Sequence, residues 1–381
     1  MHVLLVNHGS ADTWGGGDGV QIRETAKRLK QRGYTVTIQN SDQPNPAGAD
    51  LVHIFNCRVQ HSFPSQLASC QAAGKPIVVS PIWINLGKAL WGSRSTLPVL
   101  QKAVLEGESA ASHQLHLLKN RELVVALPEG NLDANGNGSL YSDWHREIGR
   151  LLKQADGVLP NSWLELKALQ TDLHWSGSCS GVAHYGVDPK VFLDADPEPF
   201  RKHTGIRGRF VLQAGRIEPG KNQAMLCWAL RKTNIPIVLI GSCKHWPSYA
   251  KLCKEISGEK LTIIDHLPQD LLASAYAASD VHCLVSWMDT CGLVSLEAAL
   301  TGTPVVGSTF GHELEYLQND AWLADPALPE SIYDAVNEAW AAGRNCKRAL
   351  NLKKRVLSSY NWENTVDATE QIYQAVFNGT A

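Results

Sequence analysis

Short apolar runs rich in Val and Ile recur along the chain, and each is followed by a stretch with helical periodicity. Runs of four or five such residues are typical of parallel strands that are buried on both faces by helices. The predicted strands are residues 2–6, 34–39, 51–55, 77–80 and 157–160 in the first half, and residues 210–214, 237–240, 261–264, 281–285 and 305–306 in the second. The alternation therefore predicts an α/β protein with two similarly built halves.

The length of the chain favours two domains. Its 381 residues exceed the size of most single domains, and shares of 44% hydrophobic and 19% charged residues are typical of a globular protein. Residues 187–199 are rich in Pro and Asp and lack helical periodicity, so we expect the linker there. The predicted domains are residues 1–190 and 200–360.

Charge and cysteine content exclude several other classes. The 35 basic and 37 acidic residues give a net charge of -2, which provides no overall positive field for nucleic acid. The nine cysteines are scattered without C-x-x-C spacing, as expected of reduced thiols.

The first apolar run ends before Asn7, far short of a signal peptide or a membrane span, so we expect a cytoplasmic protein. Peripheral membrane contact stays open, since residues 97–105 fit lipid contact and core packing equally well.

A glycine-rich loop follows the first predicted strand and leads directly into a helix. Residues 14–19 read WGGGDG. Glycines at a helix start let backbone N–H groups approach an anion or a sugar, which makes Gly16 and Gly17 candidate ligand contacts. Val20 stands where a dinucleotide-binding fingerprint has its last glycine, so that fingerprint is not met. A plain surface turn is the alternative.

The matching loop of the second half carries two cations. The predicted strand at 210–214 runs into GRIEPGKN at 215–222. Arg216 and Lys221 can bind a diphosphate without a metal ion, and we expect both side chains to be solvated. The spacing nearly matches a P-loop, but Asn222 stands in place of the hydroxyl that binds magnesium. A solvated pair without a ligand is the alternative.

Residues 286–308 place two carboxylates around the start of a helix. Asp289 precedes the predicted helix, and Glu297 lies inside it, eight positions later. The amides from Thr290 to Val294 lie at the positive end of this helix and suit phosphate or sugar hydroxyls, whereas Glu297 can accept hydrogen bonds from a ribose. A buried structural carboxylate is the alternative for Glu297.

An Asp-x-Asp pair, Asp194 and Asp196, has the form that holds a divalent cation on a nucleotide sugar in some transferases. Here it lies in the predicted linker beside Pro197 and away from any strand end. We therefore expect no metal site and no metal cofactor. The ligand of the protein should instead be held by cations and backbone amides.

These stretches together resemble the family-four, or group 1, retaining glycosyltransferases of the GT-B fold. The resemblance covers nearly the whole chain. It is most specific at 214–222, at 289–308 and at 311–326, where a glycine, a glutamate two to four residues later and a closing Asp-Pro follow the family pattern. Residues 14–21, 155–162 and 185–192 agree more weakly. The resemblance implies two Rossmann-like domains that face each other across a cleft, with the C-terminal helix at 361–381 crossing back to the first domain.

The resemblance also implies roles for single residues. Arg216 and Lys221 correspond to the pair that grips the donor diphosphate. Asp289 and Glu297 correspond to a pair of glutamates, of which the first contacts the donor sugar and the second the ribose; the Asp here has a shorter reach. The other implied donor contacts are Gly16, Cys291, Gly292, Leu293 and, around the nucleotide base, His266 and Leu267.

The implied activity is transfer of a sugar from a UDP- or GDP-sugar to a sugar, lipid or protein acceptor, with retention at the anomeric carbon. Many relatives carry a His or Asp beside the reacting sugar, where this chain reads SPIW at 80–83. The front-face route proposed for the family needs no such base, because the departing phosphate takes the acceptor's proton while Arg216 and Lys221 stabilise the leaving group. A non-catalytic nucleotide-sugar-binding scaffold and a P-loop-like phosphotransferase are the alternatives.

Overall fold

The computed structural model describes residues 1–11, 16–127, 130–177 and 179–379, without the side chains of residues 139–141. Trp14 and Gly15 of the glycine-rich loop lie outside the described residues. The chain divides into two compact units: unit 1 comprises residues 1–85, 140–186 and 359–381, and unit 2 comprises residues 86–139 and 187–358. The predicted domain boundaries differ from this division in residues 86–139, whose helices pack with unit 2.

Unit 1 is built on a five-stranded parallel sheet with the order β2-β1-β3-β4-β7. Its strands are β1 (His2–Asn7), β2 (Thr35–Asn40), β3 (Leu51–Phe55), β4 (Ile77–Ser80) and β7 (Gly157–Val158). Its helices are α1 (Gly17–Gln31), α2 (Phe63–Ala72), α5 (Ser139–Leu152), α6 (Trp163–Asp172) and α16 (Trp362–Phe377). Every residue of β3 and β4 is buried, as expected of strands that are covered on both faces.

The last helix, α16, belongs to unit 1. Four of its side chains join the hydrophobic core that contains β1 and β3, namely Val366, Ile372, Tyr373 and Val376. The hydroxyl of Tyr373 lies 2.7 Å from Nδ1 of the buried His53 in β3. Arg32, just after α1, pairs with Glu363 at 2.8 Å. The predicted return of the C-terminal helix to the first domain is therefore confirmed.

Unit 2 is built on a six-stranded parallel sheet with the order β10-β9-β8-β11-β12-β13. Its strands are β8 (Val211–Ala214), β9 (Ile237–Ile240), β10 (Leu261–Ile264), β11 (Val281–Leu284), β12 (Val305–Ser308) and β13 (Trp322–Ala324), with a separate antiparallel pair, β5 (Val125–Leu127) and β6 (Gly130–Leu132). Its helices are α3 (Leu86–Glu106), α4 (Glu108–Lys119), α7 (Pro189–Phe192), α8 (Glu198–Thr204), α9 (Gln223–Leu230), α10 (Pro247–Ser257), α11 (Gln269–Ala278), α12 (Leu293–Leu300), α13 (Glu313–Leu317), α14 (Pro329–Ala342) and α15 (Lys347–Ser359).

The prediction of two α/β halves with parallel sheets is confirmed. Four of the predicted strands, β3, β4, β9 and β10, have the predicted bounds. The helical periodicity of residues 97–120 corresponds to two helices, the second half of α3 and the whole of α4, because Gly107 between them adopts a positive φ of 94°. The predicted linker contains the short helix α7 and the start of α8.

Candidate functional site

The strand order of unit 2 reverses between β8 and β11. The strands β8, β9 and β10 follow one another toward one edge, and β11, β12 and β13 follow toward the other. Loops on the two sides of such a reversal separate and leave a crevice at the carboxyl ends of the strands. Residues 215–222 follow β8 and residues 285–292 follow β11, so both predicted loops border this crevice.

Asn222 fixes the loop that follows β8. Its backbone is left-handed, with a φ of 61°, and it precedes helix α9. Its side-chain Nδ2 donates to the carbonyl oxygens of Val285 at 3.0 Å and Pro326 at 2.9 Å. The Asn222 side chain thus connects three segments of unit 2. Because it makes these structural hydrogen bonds and does not act as the magnesium-binding hydroxyl of a P-loop, the phosphotransferase alternative is weakened.

Both predicted cations have carboxylate partners. Arg216 lies 3.1 Å from Glu218 and keeps 38% of its side chain exposed. Lys221 Nζ donates to Asp289 Oδ1 at 2.6 Å, and only 18% of the Lys221 side chain is exposed. Our expectation of a solvated side chain is therefore wrong for Lys221, because Asp289 of the second loop binds it in a largely buried position.

Asp289 is held in its ionised form. Burial alone would raise the pKa of Asp289, but the Lys221 ammonium, helped by the more distant Arg216, holds that pKa below its ordinary value. Its second oxygen, Oδ2, is buried and has no hydrogen-bond partner among the described residues. An ionised oxygen without a donor is suited to accept a hydrogen bond from a hydroxyl group.

Helix α12 begins at the same edge of the sheet. Gly292 precedes it with a left-handed backbone (φ 66°), and a Cβ there would lie 2.5 Å from Oε2 of Glu313, so the turn requires glycine. Cys291 is buried, and burial raises the pKa of its thiol well above the ordinary value. The amides of Leu293 and Val294, in the first turn, have no partner within the helix and can bind an anion.

Glu297 lies farther along helix α12. Its Oε2 accepts a hydrogen bond from the hydroxyl of Tyr276 at 2.9 Å. Burial raises the pKa of Glu297 to about 7, and the hydrogen bond from Tyr276 only partly opposes this shift. Glu297 therefore changes between its neutral and ionised forms near neutral pH.

Glu313 is absent from the predicted site residues, although it lies within the family-like stretch 311–326. Its side chain is fully buried, and Oε1 accepts a hydrogen bond from the amide of Ser308 at 2.5 Å. Burial, together with the charge of Asp289, raises the pKa of Glu313 well above its ordinary value. A neutral carboxyl group therefore lies beside the turn at Gly292. The glycine-to-glutamate spacing of the stretch was the sequence signal for it.

Other predicted contacts are more scattered. His266 and Leu267 follow the edge strand β10, where His266 is exposed and Leu267 is buried. Gly16 and Gly17 lie in unit 1 at the start of helix α1, and Gly17 is exposed. Their place at a helix start agrees with the local structure that the sequence predicts.

The Asp-x-Asp pair lies between helices α7 and α8. Asp196 Oδ1 accepts a hydrogen bond from the amide of Glu198 at 3.0 Å, which caps the next turn. In the described parts of the chain, no group of three or more His, Cys, Asp or Glu side chains is arranged to hold a metal ion. None of the described helices is long and apolar enough to cross a bilayer.

Unit 1 carries a polar cluster that the sequence analysis did not assign. Its strand order reverses between β1 and β3, and His8 follows β1 while Asn56 follows β3. Asp18, in the first turn of α1, lies 3.5 Å from His8 Nε2 and 3.4 Å from Asn56 Nδ2. Burial opposes ionisation of Asp18, but His8, the amide of Gly19 and Arg58 lower the pKa of Asp18 to about 2. His8 and Asn56 each come shortly after a predicted strand, at 2–6 and 51–55, and this position is the sequence signal that could have found the cluster.

Unit 2 contains a stretch that matches a known protein family. Residues 197–355 match the family of group 1 glycosyl transferases. The predicted resemblance to group 1 glycosyltransferases is confirmed. A relative of this group, the D-inositol 3-phosphate glycosyltransferase of Mycobacteroides abscessus, is 25% identical over 411 residues, which cover 97% of this chain and 86% of that protein.

Two solved structures show the same fold as this chain. Sucrose-phosphate synthase from Thermosynechococcus elongatus matches with a TM-score of 0.74 and 16% identity, over 100% of both chains. Anabaena HepE in complex with UDP and glucose matches with a TM-score of 0.68 and 16% identity, over 98% of this chain and 100% of that one. The predicted GT-B fold is therefore confirmed.

Proposed function

We propose that the protein transfers a sugar from a UDP- or GDP-sugar to an acceptor hydroxyl, with retention at the anomeric carbon. The observation that carries the proposal is the meeting of Lys221 and Asp289, from two loops, at the strand reversal of unit 2. Cations and helix-start amides at one crevice suit a diphosphate. The solved complex of HepE with UDP and glucose supports the same class of donor.

In this proposal the protein acts on the leaving group. The bond between the anomeric carbon and the diphosphate oxygen breaks, the acceptor oxygen bonds to the same face of that carbon, and the acceptor proton passes to the departing phosphate. Arg216 and Lys221 stabilise the negative charge that grows on the diphosphate. Asp289 accepts a hydrogen bond from a donor-sugar hydroxyl through Oδ2, and Glu297 accepts one from the ribose. In this proposal the diphosphate needs no metal ion, because the two cations and the helix-start amides bind it directly.

The acceptor in this proposal is a sugar or a sugar phosphate. The support is the printed names of similar proteins, a D-inositol 3-phosphate glycosyltransferase and a sucrose-phosphate synthase. The acceptor would bind in unit 1, where the cluster of His8, Asp18 and Asn56 lies at the carboxyl edge of the sheet. The test compares sugar and sugar-phosphate acceptors with lipid and protein acceptors.

The test is a panel of UDP- and GDP-sugars with candidate acceptors, scored for release of nucleotide diphosphate and for the glycoside product. We expect release with one donor class, an unchanged anomeric configuration by proton NMR of the product, and nearly full activity in the presence of a chelator. Nucleotide binding without release would favour the scaffold alternative. Loss of activity on chelation with recovery on adding manganese would refute metal independence.

A further inference from the structure

Residues 86–139 belong to unit 2, although the chain on both sides of them belongs to unit 1. The segment comprises helices α3 and α4 and the β5–β6 hairpin. It contacts α9, α10 and the turn at Pro219–Lys221. The segment therefore packs directly against the loop that carries Lys221.

Trp287 links the two candidate loops. Its backbone amide donates to the carbonyl of Gly220 at 2.8 Å, and it lies two positions before Asp289. Its side chain is only 1% exposed, and Nε1 is buried with no hydrogen-bond partner among the described residues. The position of the indole ring is therefore set by its contacts with neighbouring side chains and not by a hydrogen bond to Nε1.

Much of this packing comes from helix α3. A Cβ on Gly92 would lie 2.1 Å from Cδ2 of Trp287, so the ring lies directly on the helix backbone. Trp91 meets Trp287 edge to face, with ring centroids 5.9 Å apart. On another side Phe310 contacts the same ring at 5.3 Å. Helix α3 and the loop that carries Trp287 are thus in close contact, with no room for a side chain at position 92.

Arg121, which follows α4, joins both parts of this contact. Its guanidinium lies 5.8 Å from the ring centroid of Trp287 and 5.9 Å from that of Trp91. One of its terminal nitrogens donates to both carboxylate oxygens of Asp325, at 2.9 and 2.8 Å. Asp325 precedes Pro326, whose carbonyl accepts the hydrogen bond from Asn222 beside Lys221. Arg121 thus touches the supports of both loops without touching Lys221 or Asp289 in any described contact.

We propose that Arg121 is a positioning residue for the donor site. In this proposal residues 86–139 hold the loops at 215–222 and 285–292 in fixed positions relative to each other. The inference rests on the proposed function, because it assigns the donor to these loops. Arg121 fixes Trp287 on one side and Asp325 on the other. Their positions then hold the Lys221–Asp289 pair ready for the donor.

Arg209 provides a matched control in the same unit. Its guanidinium lies 4.0 Å from the Trp340 ring and 2.7 Å from Asp280 Oδ1, so it has the same kinds of partner as Arg121. It precedes β8 and thus lies at the amino end of the sheet, opposite the candidate loops. Loss of a general surface contact would affect both arginines alike, whereas a positioning role belongs to Arg121 alone.

The experiment compares the full-length protein with its Arg121→Ala, Arg121→Lys and Arg209→Ala variants. Hydrogen exchange of residues 285–292 reports loop order, and steady-state kinetics give KM separately for donor and acceptor. We expect faster exchange and an increase of about tenfold in donor KM for Arg121→Ala, the scale of a partly exposed charged pair with a ring contact. Acceptor KM should stay unchanged. Arg121→Lys keeps the ion pair and should recover donor KM to within about threefold of wild type.

Two results would overturn the inference. One is equal exchange of residues 285–292 in Arg121→Ala, Arg209→Ala and wild type. The other is a rise in donor KM of the same size in both alanine variants. If wild type transfers no sugar from any donor, the proposed function fails, and the exchange measurement alone still decides whether Arg121 orders the loops. If the alanine variant does not fold, Asp325→Asn removes the same ion pair from the other side, and wild-type exchange of residues 285–292 in that variant would overturn the inference.

Discussion

The two units share a fold but differ in the charges at the carboxyl edges of their sheets. In unit 2 the strand reversal is bordered by Arg216 and Lys221. In unit 1 the corresponding reversal is bordered by His8 and Asp18, whose carboxylate is ionised. Unit 2 therefore presents two cation–carboxylate pairs, Arg216–Glu218 and Lys221–Asp289, whereas unit 1 presents an ionised carboxylate beside His8 and Asn56. Because the two folds are alike, our proposal that the anionic diphosphate binds in unit 2 rests on these side chains and not on the fold.

Buried carboxylates sharpen this contrast. The pKa of Asp18 in unit 1 is lowered to about 2, because His8 and its other partners outweigh the effect of burial. The pKa of Glu297 in unit 2 is raised to about 7, because burial outweighs its one hydrogen bond. One carboxylate is thus fixed as an anion, and the other is poised to change charge near neutral pH.

The largest effect should follow loss of the cations of unit 2. Arg216→Ala and Lys221→Ala should each lower the turnover number by roughly a hundredfold to a thousandfold, the scale of one preorganised stabilising donor. Nucleotide release at saturating donor measures this effect, with Arg209→Ala as the control. Full activity in a variant lacking both cations would remove the basis for assigning the diphosphate to unit 2.

Stability should separate the two cations. Lys221→Ala leaves the largely buried Asp289 without its ammonium partner, which should cost on the order of 3 kcal/mol, whereas the more exposed Arg216→Ala should change stability little. Urea unfolding measures both. Adding Asp289→Asn to Lys221→Ala should restore most of the lost stability but not the turnover. An equal loss in the two single variants would show that Lys221 and Arg216 are equally solvated.

Asp18→Asn tests the anion of unit 1. Because the pKa of Asp18 is about 2 in the folded state and near 3.8 unfolded, ionised Asp18 stabilises the fold above pH 4, and this contribution disappears as pH falls toward 2. The variant should therefore be about 2 kcal/mol less stable than wild type at pH 7 and equally stable near pH 2. Urea unfolding at several pH values measures the difference. A deficit that persists unchanged at low pH would point to lost packing instead of lost charge.

Glu297→Gln should change stability with the opposite sign. The pKa of Glu297 is about 7 in the folded state and near 4.5 unfolded, so wild type binds the extra proton when folded and loses stability as pH rises from 4.5 to 7. The glutamine variant lacks this fall and should melt at a higher temperature than wild type at pH 8, with little difference at pH 4. Thermal scans across this range measure it. A lower melting temperature for the variant at pH 8 would contradict the burial argument.

Sequence reasoning found the strands because their chemistry is local. A short run that is apolar on both faces has one stable place, inside a sheet covered by helices, so β3, β4, β9 and β10 could be bounded from composition. The two loops with Arg216, Lys221 and Asp289 were found in the same way, from spacing beside strand ends. Both loops lie in unit 2, because the strands that precede them, β8 and β11, belong to the sheet of that unit.

Contacts between distant positions could not be found in this way. Lys221 and Asp289 are 68 positions apart, and nothing in either stretch alone indicates that they pair. The helical periodicity within residues 86–139 does not indicate a partner, so sequence order alone placed the segment in the first domain. Their place in unit 2 depends on shape, chiefly the absence of a side chain at Gly92 where Trp287 lies.

The position of α16 in unit 1 determines when that unit can be completed during synthesis. Residues 1–85 leave the ribosome first, yet the core of β1 and β3 also needs Val366 and Tyr373. Unit 2 ends at residue 358, so its whole chain is made before α16 exists. The synthesis of unit 1 therefore begins before that of unit 2 and ends after it. A nascent chain therefore holds the β1 and β3 surface without this cover until α16 has been made, which exposes that surface to aggregation.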